Sequence, residues 1–228
     1  MSTVSFKRAV ETPIQEQQTL PAKFTAQETA VAVPVATFSN PALEGEFTAR
    51  DMSIPYLSLG QKSGTLCDDH PDWIGKWVYD KNTCLGPEIK VVILKLAKYY
   101  EEVTEFGGED IPQRWDTVAE AKAAGVEYKE CATVDLLFDA PAELADAGMI
   151  GSLAPARMTV RSSSYGRVVG MVLKDLAGWL KNDLAGGYYR MSVEKKSNGS
   201  NSWFVPKLKA DGKVAADVRQ QIKDTFQV

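Results

Sequence analysis

The chain has 228 residues, 44% of them hydrophobic and 25% charged, with a formal net charge of −4 and a single histidine. This composition suits a folded protein with a real core and excludes collagen-like or low-complexity classes. No stretch approaches the length of apolar sequence that a membrane span needs, and no apolar region follows the basic Lys7 and Arg8 as a secretory signal would require, so a soluble protein is expected.

Residues 1–45 are rich in Gln, Thr, Ala, Pro and Glu without helical or strand periodicity, and they read as a flexible leader before a single domain at 46–228. A first strand is expected at 54–60, ending at Gly60, and a second over 73–79, where Trp73, Trp77 and Tyr79 share parity. The segment IKVVILKLAKYY at 89–100 predicts a third strand, with Ile89, Val91, Ile93, Lys95, Ala97 and Tyr99 on one side. Apolar groups on both of its faces mark it as central to a sheet or curved through a small barrel. An acidic loop follows at 101–114, then a short helix at 116–124 capped by Asp116, and a strand at 131–138. A short helix is possible near 143–147 and a short strand at 157–161.

In the last third, Ser162, Ser163 or Ser164 is placed to cap a helix running to Leu180, with Val168, Val169, Val172, Leu176, Trp179 and Leu180 as its apolar stripe. Arg167, Lys174 and Lys181 share the other face. A hairpin is expected from 188–196 and 201–208 around Asn198-Gly199, because Asn-Gly accepts the positive dihedrals of a tight turn. The segment 215–226 reads as a helix with Val218, Ile222 and Phe226 spaced by four. The pattern as a whole predicts an α+β, mainly β fold.

Little in the chain points to catalysis. Phosphate-cradling, nucleophile-elbow, zinc-protease and EF-hand motifs are all missing from the sequence. Cys67, Cys84 and Cys131 form no paired spacing, and His70, in the run DDHPD, reads as a polar turn before it reads as a metal ligand. Carboxylates at Glu101, Glu102, Glu105, Glu109 and Asp110 sit on an expected loop, a poor support for acid–base work. No cofactor or metal is expected.

Nucleic-acid binding fits the residue chemistry better. Residues 1–156 hold 13 Lys or Arg against 24 Asp or Glu, whereas residues 157–228 hold 13 against 6, so a polyanion is drawn to the last third. A single-strand binder needs cations that follow phosphates and rings on which bases stack. The hairpin supplies Tyr188, Arg190, Lys195, Lys196, Trp203 and Lys207, with Tyr188 and Arg190 on one face and Tyr189, Met191 and Val193 on the core side. Trp73 and Trp77 offer either a stacking platform or the inside of a barrel.

The segments WIGKWVYD, LGPEIKVVILKLAKYY and MTVRSSSYGRVVGMVLKDL, followed by the hairpin block, resemble bacteriophage-encoded single-stranded DNA-binding proteins over roughly residues 50–210. The resemblance implies an OB-like curved sheet or barrel with inserted and peripheral helices, which shields single-stranded DNA without sequence preference during phage DNA replication or recombination in the cytoplasm of the bacterial host. It further implies phosphate contacts from Arg157, Arg161, Arg167 and Lys174, a helix-terminal anion site at 162–164, phage replication or recombination proteins as partners, and a possible homo-oligomer. The C-terminal DTFQV lacks the acidic partner-binding tail frequent in such proteins. The alternative reading is a phage structural or protein-interaction module that uses the same hairpin against a protein, and a third is an enzyme with a metal site assembled from distant carboxylates.

Overall fold

The computed structural model describes residues 54–104, 111–199 and 201–228. The expected leader therefore lies outside the described residues, as do Glu105, Glu109 and Asp110 of the acidic loop. In chain order the elements are β1 (Leu57–Leu59), β2 (Trp77–Tyr79), β3 (Thr83–Gly86), β4 (Glu88–Glu102), β5 (Arg114–Trp115), α1 (Val118–Ala123), β6 (Tyr128–Asp139), β7 (Leu153–Arg161), α2 (Tyr165–Ala177), β8 (Gly187–Asn198), β9 (Asn201–Lys213) and α3 (Ala216–Phe226). The fold is α+β, mainly β, and its strand pairings are antiparallel apart from one isolated parallel bridge.

The large sheet has the order β7-β6-β4-β8-β9, with β5 added beside β4. As expected, β4 is central, pairing with β6 on one side and β8 on the other. Its two faces are not the ones that simple alternation predicts. Ile93 pairs with Leu136 and Lys95 with Asp135, so Leu94 is an extra residue in the ladder, a β-bulge. Ile89, Val91 and Ile93 enter the main core before the bulge; after it Leu96 packs against that core, while Lys95 and Ala97 are exposed. A one-residue slip exchanges the faces of a strand.

The main core joins the inward residues of the large sheet to Val168, Val169 and Val172 of α2 and to Trp77. A second cluster lies on the opposite side of the sheet, where α3 lays Val218, Ile222 and Phe226 against Val92, Leu94 and Leu137. The four-residue spacing of the last helix thus does what the sequence suggests.

Other local expectations shift for physical reasons. The second strand covers only 77–79, because Pro71 opens a 3₁₀ turn at Pro71–Trp73 and Gly75 adopts φ +75°. Trp73 consequently stacks on His70 in that turn, with ring centroids 3.9 Å apart, instead of sharing a sheet face with Trp77. Thr117, not Asp116, caps α1 through a reciprocal box with Glu120. Ser162–Ser164 forms a 3₁₀ turn whose side chains make no cap bond, and α2 stops at Gly178, so Trp179 and Leu180 follow the helix. Lys181 lies past its end at φ +51° and leaves the face of Arg167 and Lys174.

No pairing joins β7 to β9 among the described residues. The chain at 55–61 runs along the seam between them. Arg157 of β7 donates its backbone N–H to Pro55 O at 2.9 Å, and Tyr56 and Arg157 form the parallel bridge. On the other side, Gln61 donates from Nε2 to Phe204 O at 2.8 Å and accepts the Phe204 N–H at 2.9 Å. A single side-chain amide thus reproduces the two bonds that a neighbouring strand makes. Gln61→Ala is expected to cost about 1–2 kcal/mol by leaving both Phe204 groups unpaired, read as a lower urea midpoint together with faster hydrogen exchange at the Phe204 amide.

Candidate nucleic-acid interface

After the bulge, β4 turns Lys95, Ala97, Tyr99 and Glu101 to one side of the sheet, in register with Asp135, Thr133, Cys131 and Lys129 of β6. The same register on β7 adds Arg157, Thr159 and Arg161. This is the face on which the surplus positive charge collects.

Glu101 lies at its centre and is only 2% exposed. Arg161 Nε approaches its carboxylate at 2.9 Å, Arg114 Nε at 3.2 Å and Lys129 Nζ at 3.3 Å. Burial alone would raise the carboxyl pKa, but the bonds and charges of Arg161 and Lys129 outweigh it and hold the group below its ordinary value of 4.5. Three cations around one carboxylate leave a surplus of two positive charges, and the Arg114 side chain is 60% exposed. Arg157 is different, since Asp135 takes its Nε at 2.6 Å and its second nitrogen at 3.0 Å and neutralises it.

Two rings accompany these charges. The half-buried Tyr99 ring lies 5.2 Å from the Arg114 guanidinium, and Tyr56, exposed, hydrogen-bonds Thr159 through its hydroxyl. Tyr56, Thr159 and Arg161 also line a groove of about 330 Å³ that follows the seam to Phe204 and Pro206 of β9. The face therefore continues through the groove toward the hairpin.

The hairpin itself forms as expected and runs to its tip, with Asn198 paired to Asn201 and Gly199 at φ +59°. Lys196 and Trp203 face each other in register, Trp203 half-buried, and Lys195 and Lys207 are exposed. Glu194 takes both Lys196 and Arg167, the latter at 2.9 Å, tying the start of α2 to this arm. Lys174 is exposed on α2 and has no ion pair among the described residues.

Other expected contacts fall elsewhere. Tyr189 and Met191 belong to the core as anticipated, but Tyr188 packs beside α3 in the second cluster with Lys90 Nζ 4.0 Å from its ring centroid. It is not free to stack on a base. Arg190 is exposed, yet Glu88 at 3.1 Å and Asp211 at 3.2 Å flank it. Trp77 is 1% exposed and donates its indole N–H to Met191 O at 3.1 Å, so it is a core residue and no stacking platform. Trp73 is occupied by His70.

Tyr56, Tyr99, Arg114 and Lys129 escape a sequence reading because the bulge reassigns the β4 face and because Arg114 and Lys129 sit outside the basic last third. The available signal is the change from an all-apolar run at 91–94 to a mixed run broken by Lys95 and Lys98 beyond it. No family model matches the chain, and no curated protein or solved structure is found to be similar to it.

Glu101 sets the acid limit of this face. Its folded pKa lies below its unfolded value, so its contribution is complete above about pH 4.5 and is lost as pH falls through the folded value. Glu101→Gln is expected to lower stability at pH 7 by about 1–3 kcal/mol, held to that range because its partners reach water. The gap between wild type and variant in urea melts should narrow as pH is lowered below 4.5.

Proposed function

We propose that the protein binds single-stranded DNA without sequence preference and performs no chemistry on it. The observation that carries this reading is the grouping of Arg114, Lys129 and Arg161 around buried Glu101, beside the rings of Tyr56 and Tyr99 on one strand face. Surplus cations attract the phosphates, and the exposed ring of Tyr56 favours unpaired bases over duplex.

The strand order supports the same reading. Of the five long strands, the first three in chain order are β4, β6 and β7, a helix intervenes, and β8 and β9 follow, giving the spatial order third-second-first-fourth-fifth. That order fits a partly open OB-like barrel, in which oligonucleotides lie on the second and third strands between the first and last strand connections. In this chain those parts are β6 and β7, the connection bearing Arg114, and the hairpin bearing Lys195, Lys196 and Trp203. Arg157 and Arg161 belong to the strand face, Arg167 is tied to the hairpin through Glu194, and Lys207 lies on the hairpin itself. The phage replication or recombination setting belongs to the same proposal and rests on the sequence resemblance.

Fluorescence anisotropy with a labelled single strand and the matching duplex tests it. Single-strand affinity should exceed duplex affinity and fall steeply between about 50 and 200 mM salt. Arg114→Ala should weaken binding and reduce the salt slope by about 1. Tyr56→Ala should cost about 1–3 kcal/mol with little change in that slope. Absence of single-strand binding at low salt would overturn the reading.

A further inference from the structure

We infer that a second cavity, where the chain leaving α2 meets β9 and α3, binds the phosphate chain of a nucleotide with its base against Trp179. The cavity measures about 440 Å³ and shares no lining residue with the seam groove or the Glu101 cluster. Its volume falls within the range of small-ligand sites, about 300–1,000 Å³. The inference stands independently of the strand face.

The charge on its wall is one-sided. Lys181, Lys213, Arg219 and Lys223 line it against a single carboxylate, Asp183. Asp183 is 15% exposed and attracts Arg219 Nε at 2.8 Å and Lys223 Nζ at 2.9 Å. The carboxylate draws the two cations together at the cavity wall, and each keeps further N–H donors beyond the one that approaches it. Lys181 and Lys213 have no ion pair among the described residues, so the wall carries a surplus of three positive charges. Like charges gathered in a concavity repel one another, and a bound polyanion relieves that repulsion.

A carboxylate ligand supplies one charge at one point, whereas a diphosphate or triphosphate supplies several along a short chain. Trp179 and Leu180 line the same cavity. Trp179 packs against Gly187 of β8, where a Cβ would come within 2.5 Å of the ring. A fixed ring beside a cluster of phosphate-binding cations is the chemistry that recognises a base with its phosphates attached. Free nucleotides and the phosphorylated end of a DNA strand both present it.

Calorimetry on the full chain separates these cases, with dATP, pyrophosphate, an oligoglutamate peptide, and one oligonucleotide bearing either a 5′-phosphate or a 5′-hydroxyl. We expect dATP to bind more tightly than pyrophosphate and to raise the melting temperature. Lys181→Ala/Lys213→Ala should weaken dATP by about tenfold or more while leaving 5′-hydroxyl strand binding unchanged. A 5′-phosphate advantage lost in the same variant would identify the strand end as a source of the ligand. The inference is overturned if dATP gives neither heat nor a melting shift, if the double variant binds it equally well, if pyrophosphate matches it, or if the peptide does. Trp179→Phe, which keeps a ring over Gly187, should retain most dATP affinity; a fully retained affinity in Trp179→Leu would remove the ring from the site.

Discussion

Strand β4 must serve two sets of neighbours on each of its faces, and the extra residue at Leu94 is what permits it. On one side of the sheet, Val92 and Leu94 meet α3, then Lys95, Ala97 and Tyr99 meet β6 side chains and water, and Glu101 meets its three cations. On the other, Ile89, Val91 and Ile93 fill the core, followed by Leu96. Regular alternation would carry Tyr99 and Glu101 inward and set a carboxylate against apolar neighbours at a large desolvation cost. The bulge converts one continuous strand into two short ones of opposite phase. Both the α3 platform and the cationic face depend on that change.

Glu101 then decides how the cationic face is held. Three cations on neighbouring strands would repel each other without it, and a second carboxylate at the same place would halve the surplus charge that attracts phosphate. One buried acid orders the cations and still leaves positive charge exposed. Asp183 occupies the equivalent position among Lys181, Lys213, Arg219 and Lys223 on the far cavity. Elsewhere the partners are matched more closely, as in Arg157 with Asp135 or Arg190 between Glu88 and Asp211. The acidic overall charge thus coexists with two local surpluses of the opposite sign.

Much of the fold was legible in the sequence, for identifiable reasons. The Asn198-Gly199 turn, the spacing of Val218, Ile222 and Phe226, and the two-sided apolar character of β4 are local signals, and each element forms where they point. Trp73 and Trp77 mislead because parity assumes an uninterrupted strand, and Pro71 with Gly75 interrupts it. Asp116 was a reasonable cap by type, but the reciprocal spacing of Thr117 and Glu120 carries more information. The site was less legible than the fold. Lys129 and Arg114 lie in the acidic two-thirds of the chain, where net charge hides them, and only register brings them beside Arg161. Charge counted along a sequence averages over surfaces that folding separates.

The seam between β7 and β9 is closed unequally, by main chain on the β7 side and by the Gln61 side chain on the β9 side. A backbone pairing fixes its spacing through the geometry of the peptide itself, whereas an amide at the end of a side chain reaches across by rotating about its own bonds. The two sides consequently differ in compliance. A small change in the width of the groove is therefore expected to be absorbed at Gln61 on the β9 side, leaving the Arg157 contact on β7, the strand that bears Arg161, in place.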